Sequence, residues 1–422
     1  MKKKQVLALC MAALMGASML AACGKKEETK SVSKSTATTS SKKEEAVEAT
    51  LTVWSPQEDQ AKENGDWLNT QLEAFKKAHP EWKLTFKTGV CSEGDAKTLV
   101  ASDPEAAADV FMYANDQIPD LLKSKALAEL GGKTVEDIKA NNSEVTVNTV
   151  TYENAVYGVP FTANTWFMYY DKRVFSEDDA KNLDKMLTKG KVGFPLSNSW
   201  YFASFYVANG NTFFGEKGAD AKAGFDFKGD KAVAVTNYLV DLVKNPNFKD
   251  ANGLTPSTLK DGTVNAFFSG TWDYANVVEA LGEENVGIAP APTYTLNGKE
   301  LQLKSFAGSK AIGVNPNSKN PQVAVALAAF LGSAEAQKSH YELRKIIPTD
   351  KSVDVSKDAL AQAQLDTMDK ASIVQPLQAA MGQYWGPAEA MGKEIVAGTV
   401  THDNAAEKTD SMNNAFNTSG VQ

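Results

Sequence analysis

The sequence predicts an α/β protein of two domains, each a mostly parallel sheet with helices on its faces. Three observations carry this expectation. Short β-branched and aromatic runs alternate with stretches of helical spacing, the pattern of crossover units. The alternation is interrupted once, by a long aromatic run, and then restarts. The length of 422 residues is too great for one ordinary small domain and comfortable for two.

The elements follow in order. "LTVW" (Leu51 to Trp54) reads as a strand. Residues Asn64 to Ala78 have helical spacing, with Trp67, Leu68, Leu72 and Phe75 on one face, and His79-Pro80 ends that helix. "KLTF" and "DVFMYA" are the next strands, with a helix between them, and "DQIPDLLKSKAL" returns as a helix. "YGVPFTANTWFMYYDKRVF" breaks the rhythm, and an extended run of this sort can leave one lobe and enter another. The alternation resumes with helix Asp178 to Leu187, strand "VGFP", helices Trp200 to Ala208 and Asp230 to Lys244, strand "VNAFF", and helix Trp272 to Leu281. "YTLNGKELQL" predicts a hairpin, because Asn297-Gly298 suits a type I′ turn. "KAIGVN" is a strand, Asn320-Pro321 opens a helix through "VAVALAAFLGSAEAQ", and the chain from Ser356 onward reads as helical. No repeat of solenoid length is present.

The first residues stand apart from this core. Met1-Lys-Lys-Lys4 is a positive leader, residues Gln5 to Leu20 are almost wholly apolar or small, and Leu20-Ala-Ala-Cys23 follows. This reads as a signal peptide over residues 1–22, with the ending of a bacterial lipobox, so Cys23 is the expected lipidation site. Residues 23–49 are rich in Lys, Glu, Ser and Thr, and no aromatic residue precedes Trp54. Such a segment buries too little surface to offset its ordering entropy, and is expected to be a disordered tether. Cleavage removes three lysines and takes the formal charge from −8 to −11. That charge argues against nucleic acid and against adhesion to an anionic membrane surface, leaving attachment to the lipid. Of the three cysteines, only Cys91 lies in the folded part, so no intramolecular disulfide is available there.

Catalytic signatures are missing. There is no Gly-x-Ser-x-Gly, His-Glu-x-x-His, phosphate-loop or dinucleotide fingerprint. His79, His340 and His402 are the only histidines, all expected at the surface, and no Cys/His cluster suits zinc. No metal and no cofactor are expected. A glycosidase needs only two well-placed carboxylates, so spacing alone leaves that class open, beside binding proteins without catalysis, a surface adhesin among them.

Trp272, in "SGTWDY", occupies a strand-to-helix turn. A tryptophan goes into a core or marks a surface that grips something. Together with "AFFSGTWDYANV", "FAGSKAIGVNPNSKNPQVAVALAAFLGSAEAQ", the late "YW" and the lipobox, the chain resembles extracellular solute-binding proteins of ABC importers, most closely the maltose/maltodextrin-binding branch. The similarity spans about residues 50–418.

The resemblance implies a two-lobed periplasmic-binding-protein-like (type II) fold, with a hinge and an interlobe ligand cleft. Lobe 1 would take residues 50–160 and 308–352, and lobe 2 residues 161–307 and 353–422. Crossings would fall near Val159–Thr162, Phe306–Ser309 and Pro348–Lys357. A monomer would close on maltodextrin and deliver it to permease subunits served by a separate ATPase. The resemblance assigns Trp272 and Trp385 as sugar platforms, and Trp200 with Tyr201 as a third. Tyr113, Asp116, Glu58 and Asp59 would be further contacts. Asn164, Gln117 and Asn198 stand where relatives often carry Glu, Arg and Glu, so the site is less charged, and longer α-1,4-linked oligosaccharides are expected over maltose. From the residues alone, Trp54, Trp67 and Trp82 fit a core, Trp166 fits either role, and Asp116 and Glu58 fit caps as well as ligand contacts.

Overall fold

The structure is a computed structural model that describes residues 47–418. The expected signal peptide, Cys23 and residues 23–46 of the expected tether lie outside the described residues. The tether boundary moves: β1 (Glu48–Ser55) begins before Leu51, and Ala49, Leu51, Val53 and Ser55 all point into the core. Alternate inward residues make a half-buried strand.

The remaining strands of the two main sheets are β2 (Lys83–Val90), β3 (Val110–Ala114), β4 (Val159–Asn164), β5 (Phe167–Asp171), β6 (Val192–Phe194), β7 (Phe248–Asp250), β8 (Ala266–Ser269), β9 (Val286–Ala289), β10 (Ser305–Val314) and β11 (Ser372–Val374). The first sheet runs β11-β10-β3-β1-β2, with β4 also on β10. The second runs β7-β6-β8-β5-β9. Each has a parallel part and an antiparallel part. Strands β1, β2 and β3 are parallel while β10 opposes β3 and β4, and β6, β7 and β8 are parallel while β5 opposes β8 and β9. The antiparallel strands are those that arrive from, or leave for, the other lobe.

Each lobe has its own apolar core. Lobe 1 packs Trp67, Leu68, Leu72 and Phe75 under Phe111, Tyr113 and the helix Pro321–Leu331. Lobe 2 buries both sheet faces. One is covered by helices Ser199–Ala208, Gly229–Leu242, Gly382–Val396 and Ala405–Asn417, the other by Tyr274–Leu281 and Ala359–Lys370.

Several expectations are adjusted. The helix expected from Asn64 starts at Trp67, because Gly65 takes a left-handed φ of 89° and breaks the chain after a 3-10 turn. β4 continues to Asn164 in the first sheet, beyond the expected boundary at 160, since its ladder with β10 shifts register between Lys310 and Ala311 and then runs on to Gly308. β10 starts at Ser305, five residues ahead of the expected strand, and β11 inserts a strand into the expected helical tail. Helices Gly132–Asn141 and Glu144–Thr149 were not expected. The hairpin is as expected, with Asn297 and Gly298 both at positive φ. His340 is not at the surface: it is 2% exposed and stacks on Trp67 at 4.1 Å.

Candidate functional site

A cleft of about 260 Å³ opens between the lobes. Ala114, Asn115 and Asp116 line it from lobe 1, Trp200 and Trp385 from lobe 2, and Asn164, Gly308 and Gln375 from strands at the crossing. One wall is polar and the other aromatic. The polar wall sits where the parallel strand β3 ends, the position at which open α/β sheets bind ligands.

The aromatic wall is held by three elements. Asn198 caps the helix Ser199–Ala208, its Oδ1 accepting from the Trp200 amide at 2.9 Å. Tyr384 donates its hydroxyl to the Ser199 carbonyl at 2.7 Å, which ties the helix carrying Trp385 to the one carrying Trp200. Gly392 makes this close: a Cβ there would lie 2.6 Å from the Leu196 carbonyl oxygen. The third element is the turn Thr271–Asp273 after β8. Tyr169 donates to the Gly270 carbonyl at 2.8 Å, and Ser269 Oγ donates to Asp273 Oδ2 at 2.6 Å. The Trp272 ring folds back over Gly270, where a Cβ would come within 2.0 Å of it. Trp272 stays 51% exposed, and its centroid is 6.0 Å from that of Trp200. An exposed indole fixed beside a second one is a platform with an open face.

On the polar wall, Asp116 is open to solvent, but the surrounding cleft reduces its hydration and raises its pKa above the usual aspartate value. Lys97 nearby works in the opposite direction. Asn115 is a structural member of the wall. Its Oδ1 accepts from the Ser309 amide at 2.8 Å and its Nδ2 donates to the Thr149 carbonyl at 2.9 Å.

Not every expected residue belongs here. Tyr113 is wholly buried in the lobe 1 core, and its hydroxyl donates to the Tyr157 carbonyl at 3.0 Å, so no face is left for a sugar. Gln117 is buried with its amide fully used: Oε1 accepts from the Lys97 amide, and Nε2 donates to the Glu93 and Gly94 carbonyls. Asp59 is 1% exposed and binds His340 Nε2 at 2.8 Å and Arg344 Nη1, which makes it part of a buried ion cluster. Glu58 is exposed and is not among the residues that line the cleft. The oxygen of Asn198 is spent on its cap. Tyr201 is nearly buried and stacks on Trp166 at 5.0 Å, although its hydroxyl has no protein partner among the described residues. Trp166 is core.

Four lining residues escaped the sequence reading, Ala114 at the end of β3 among them. Asn115 is adjacent to Asp116 in the same turn and could have been found there. Gly308 and Gln375 carry no local signal, because only the pairing of β10 with β4 and β11 brings them to the floor.

Among the described residues no group of three or more His, Cys, Asp or Glu is placed to hold a metal ion. None of their helices is long and apolar enough to cross a membrane. A second hollow, of about 340 Å³, lies between the turn Pro256–Leu259 and the helix Tyr274–Leu281 of lobe 2. Its lining holds no aromatic ring, in contrast to the interlobe cleft.

Comparison with known proteins agrees with this architecture. A solved structure with acarbose is 52% identical, covers 88% of this chain and 99% of its own, and superposes with a TM-score of 0.76. The maltodextrin binding protein MalE1 from L. casei BL23, without ligand, is 26% identical, with 88% and 100% coverage and a TM-score of 0.81. The galactooligosaccharide-binding protein of Bacillus subtilis (strain 168) is 28% identical over 425 residues, 94% of this chain and 93% of that one. The fold is thus the two-lobed type II binding-protein fold. Residues 70–367 match the model of the bacterial extracellular solute-binding protein family, and the chain belongs to that family.

Proposed function

We propose that the protein is a receptor for α-1,4-linked glucooligosaccharides, closing on the sugar and delivering it to an ABC permease with a separate ATPase. The observation that carries this reading is the cleft with an aromatic wall, Trp200 and Trp385 with Trp272 beside them, facing a polar wall that bears Asp116. A pyranose has a slightly positive C–H face that suits an aromatic ring, and a rim of hydroxyls that suits carboxylates and amides. Several rings in sequence match successive sugar units. Acarbose, present in the structure of the 52% identical relative, is itself an α-1,4-linked oligosaccharide analogue.

None of the residues lining the cleft is cationic, and Asp116 repels anions, which disfavours an anionic ligand. Lipid attachment through Cys23, after removal of residues 1–22, would hold the receptor at the outer face of the membrane. A second reading, a receptor for galactooligosaccharides, is favoured by the curated relative that covers 94% of the chain. Galactose differs by an axial 4-hydroxyl, which re-aims one bond to the polar wall while leaving an apolar face for stacking.

Calorimetric titration with maltose, maltotetraose and galactooligosaccharide, with chromatography of the sugars afterwards, separates these readings. Tightest binding of maltotetraose, recovered intact, is expected. Preference for galactooligosaccharide would replace the ligand, and cleaved sugar would replace the receptor by a glycosidase.

A further inference from the structure

We infer that Gln375 is a ligand contact that couples occupancy of the cleft to the hinge, and so a determinant of closure. The inference deepens the receptor reading and rests on it.

Gln375 occupies a singular place in the chain. Its amide donates to the Ala307 carbonyl at 3.0 Å, the rung that follows the β10–β11 ladder. The next residue, Pro376, has no N–H, so the ladder ends there. The chain then leaves the first sheet for the lobe 2 helix that carries Trp385. Gln375 is therefore the last residue held by lobe 1's sheet before a crossing. Its side chain lines the cleft and has no hydrogen-bond partner among the described residues.

Asn164 mirrors it. Gly308 of β10 pairs with Asn164 on one flank, while the neighbouring Ala307 is bonded to Gln375 on the other. Asn164 is likewise the last residue of its strand, separated from the lobe 2 strand β5 only by Thr165-Trp166, and its side chain also lacks a partner among the described residues. The floor of the cleft thus reads amide, glycine, amide. Gly308 has no side chain to fill the gap, and a Cβ there would lie 3.0 Å from Asn115 Oδ1.

Each amide offers one acceptor and two donors. A sugar seated against the aromatic wall presents neighbouring hydroxyls to the floor, one to each amide. Both amides are laddered to β10 and so move with the lobe 1 sheet, whereas the stacking rings belong to lobe 2, so a rotation between the lobes changes the distance from the rings to the amides. A sugar can keep its stacking on lobe 2 and its bonds to the two floor amides together at only one hinge angle. A ligand making contacts in one state that it lacks in the other biases the hinge toward the first. Trp272 differs in this respect, because it belongs to lobe 2 alone and adds affinity in either state.

The test compares Gln375→Ala with Trp272→Ala in the whole protein. Affinity for maltotetraose is read by calorimetry, and lobe closure by the radius of gyration in X-ray scattering at saturating sugar. Any residue but proline keeps the Gln375 backbone rung. Gln375→Met, which preserves length and removes the polar atoms, guards against an unfolded Ala variant. For Gln375→Ala and Gln375→Met we expect roughly five- to tenfold weaker binding and a smaller fraction closed at saturation. For Trp272→Ala we expect weaker binding with full closure at saturation. Wild-type affinity and closure in both Gln375 variants would overturn the inference, as would weaker binding with undiminished closure. If the wild type prefers galactooligosaccharide, the same variants are read with that sugar, so the ligand assignment can fail while the role of Gln375 stands or falls separately.

Discussion

Trp272 owes its position to a neighbour that does not itself line the cleft. Gly270 leaves room for the indole to lie back over the backbone, and Tyr169 pins the same residue through its carbonyl. A methyl group there collides with the far end of an exposed ring, which swings away cheaply. Gly270→Ala should therefore lose sugar affinity nearly as Trp272→Ala does, roughly 30-fold for a platform worth about 2 kcal/mol, while the melting temperature stays close to wild type. Unchanged affinity would mean that the ring orientation is irrelevant. Asp116 offers a pH reading. Its folded pKa is raised by loss of hydration, so protonation sets in at a higher pH than for an ordinary aspartate, near 3.9. Protonation removes an acceptor from the polar wall. Affinity should fall on acidification, starting above the usual aspartate range, and Asp116→Asn should flatten that dependence. A wild-type profile that the variant reproduces would remove Asp116 from the site.

At the scale of elements, the segments joining the lobes are tied to one another by short polar contacts. Thr165 Oγ1 meets Ser305 Oγ at 2.7 Å and donates to the Phe306 carbonyl at 2.9 Å, and Ser309 Oγ is held at 2.6 Å from Thr149 Oγ1 of the lobe 1 helix Glu144–Thr149. The helix Ala334–Arg344 is anchored to the turn after β1 by Asp59, with His340 and Arg344. Burial alone would raise the Asp59 pKa, but His340 and Arg344 outweigh it and the folded value is lowered. A lowered carboxylate pKa stabilises the fold above the unfolded value and loses that contribution as pH falls through the folded one. Asp59→Asn leaves Arg344 facing an uncharged partner in a buried setting and should cost about 3 kcal/mol, read by chemical denaturation at neutral pH. It should also lessen the loss of stability in acid. A cost near zero would return Asp59 to the list of functional candidates. These elements also show what a sequence can carry. Periodicity and turn chemistry reveal local structure well: the "LTVW" alternation, the Asn297-Gly298 hairpin and the Trp67–Phe75 face all appear as expected. Of the three-residue strands, β6 is legible in "VGFP" but β7 and β11 are not, because three residues hold no period and their pairing partners lie far away in the chain.

At the scale of the molecule, two lobes with separate cores share a floor made of crossing strands, and the cleft lies on that floor. The aromatic wall was legible because tryptophan in a turn is conspicuous and the resemblance gave it a role. The polar wall was legible only in Asp116 and Asn164. Tyr113, Gln117 and Asp59 are the same kinds of residue in a similar setting, yet they turn inward. Which way a side chain faces depends on partners such as Tyr157, Glu93 and His340, which local spacing does not reveal.

In the proposed receptor, tryptophans of lobe 2 grip successive units of an α-1,4-linked chain. Intrinsic tryptophan fluorescence, titrated with maltose, maltotriose, maltotetraose and longer maltodextrins, reads this grip directly. A saturable change is expected, with an affinity that rises with chain length and a response weakened in Trp272→Ala. No response to any α-glucan, or a response equal in Trp272→Ala and wild type at every length, would contradict it.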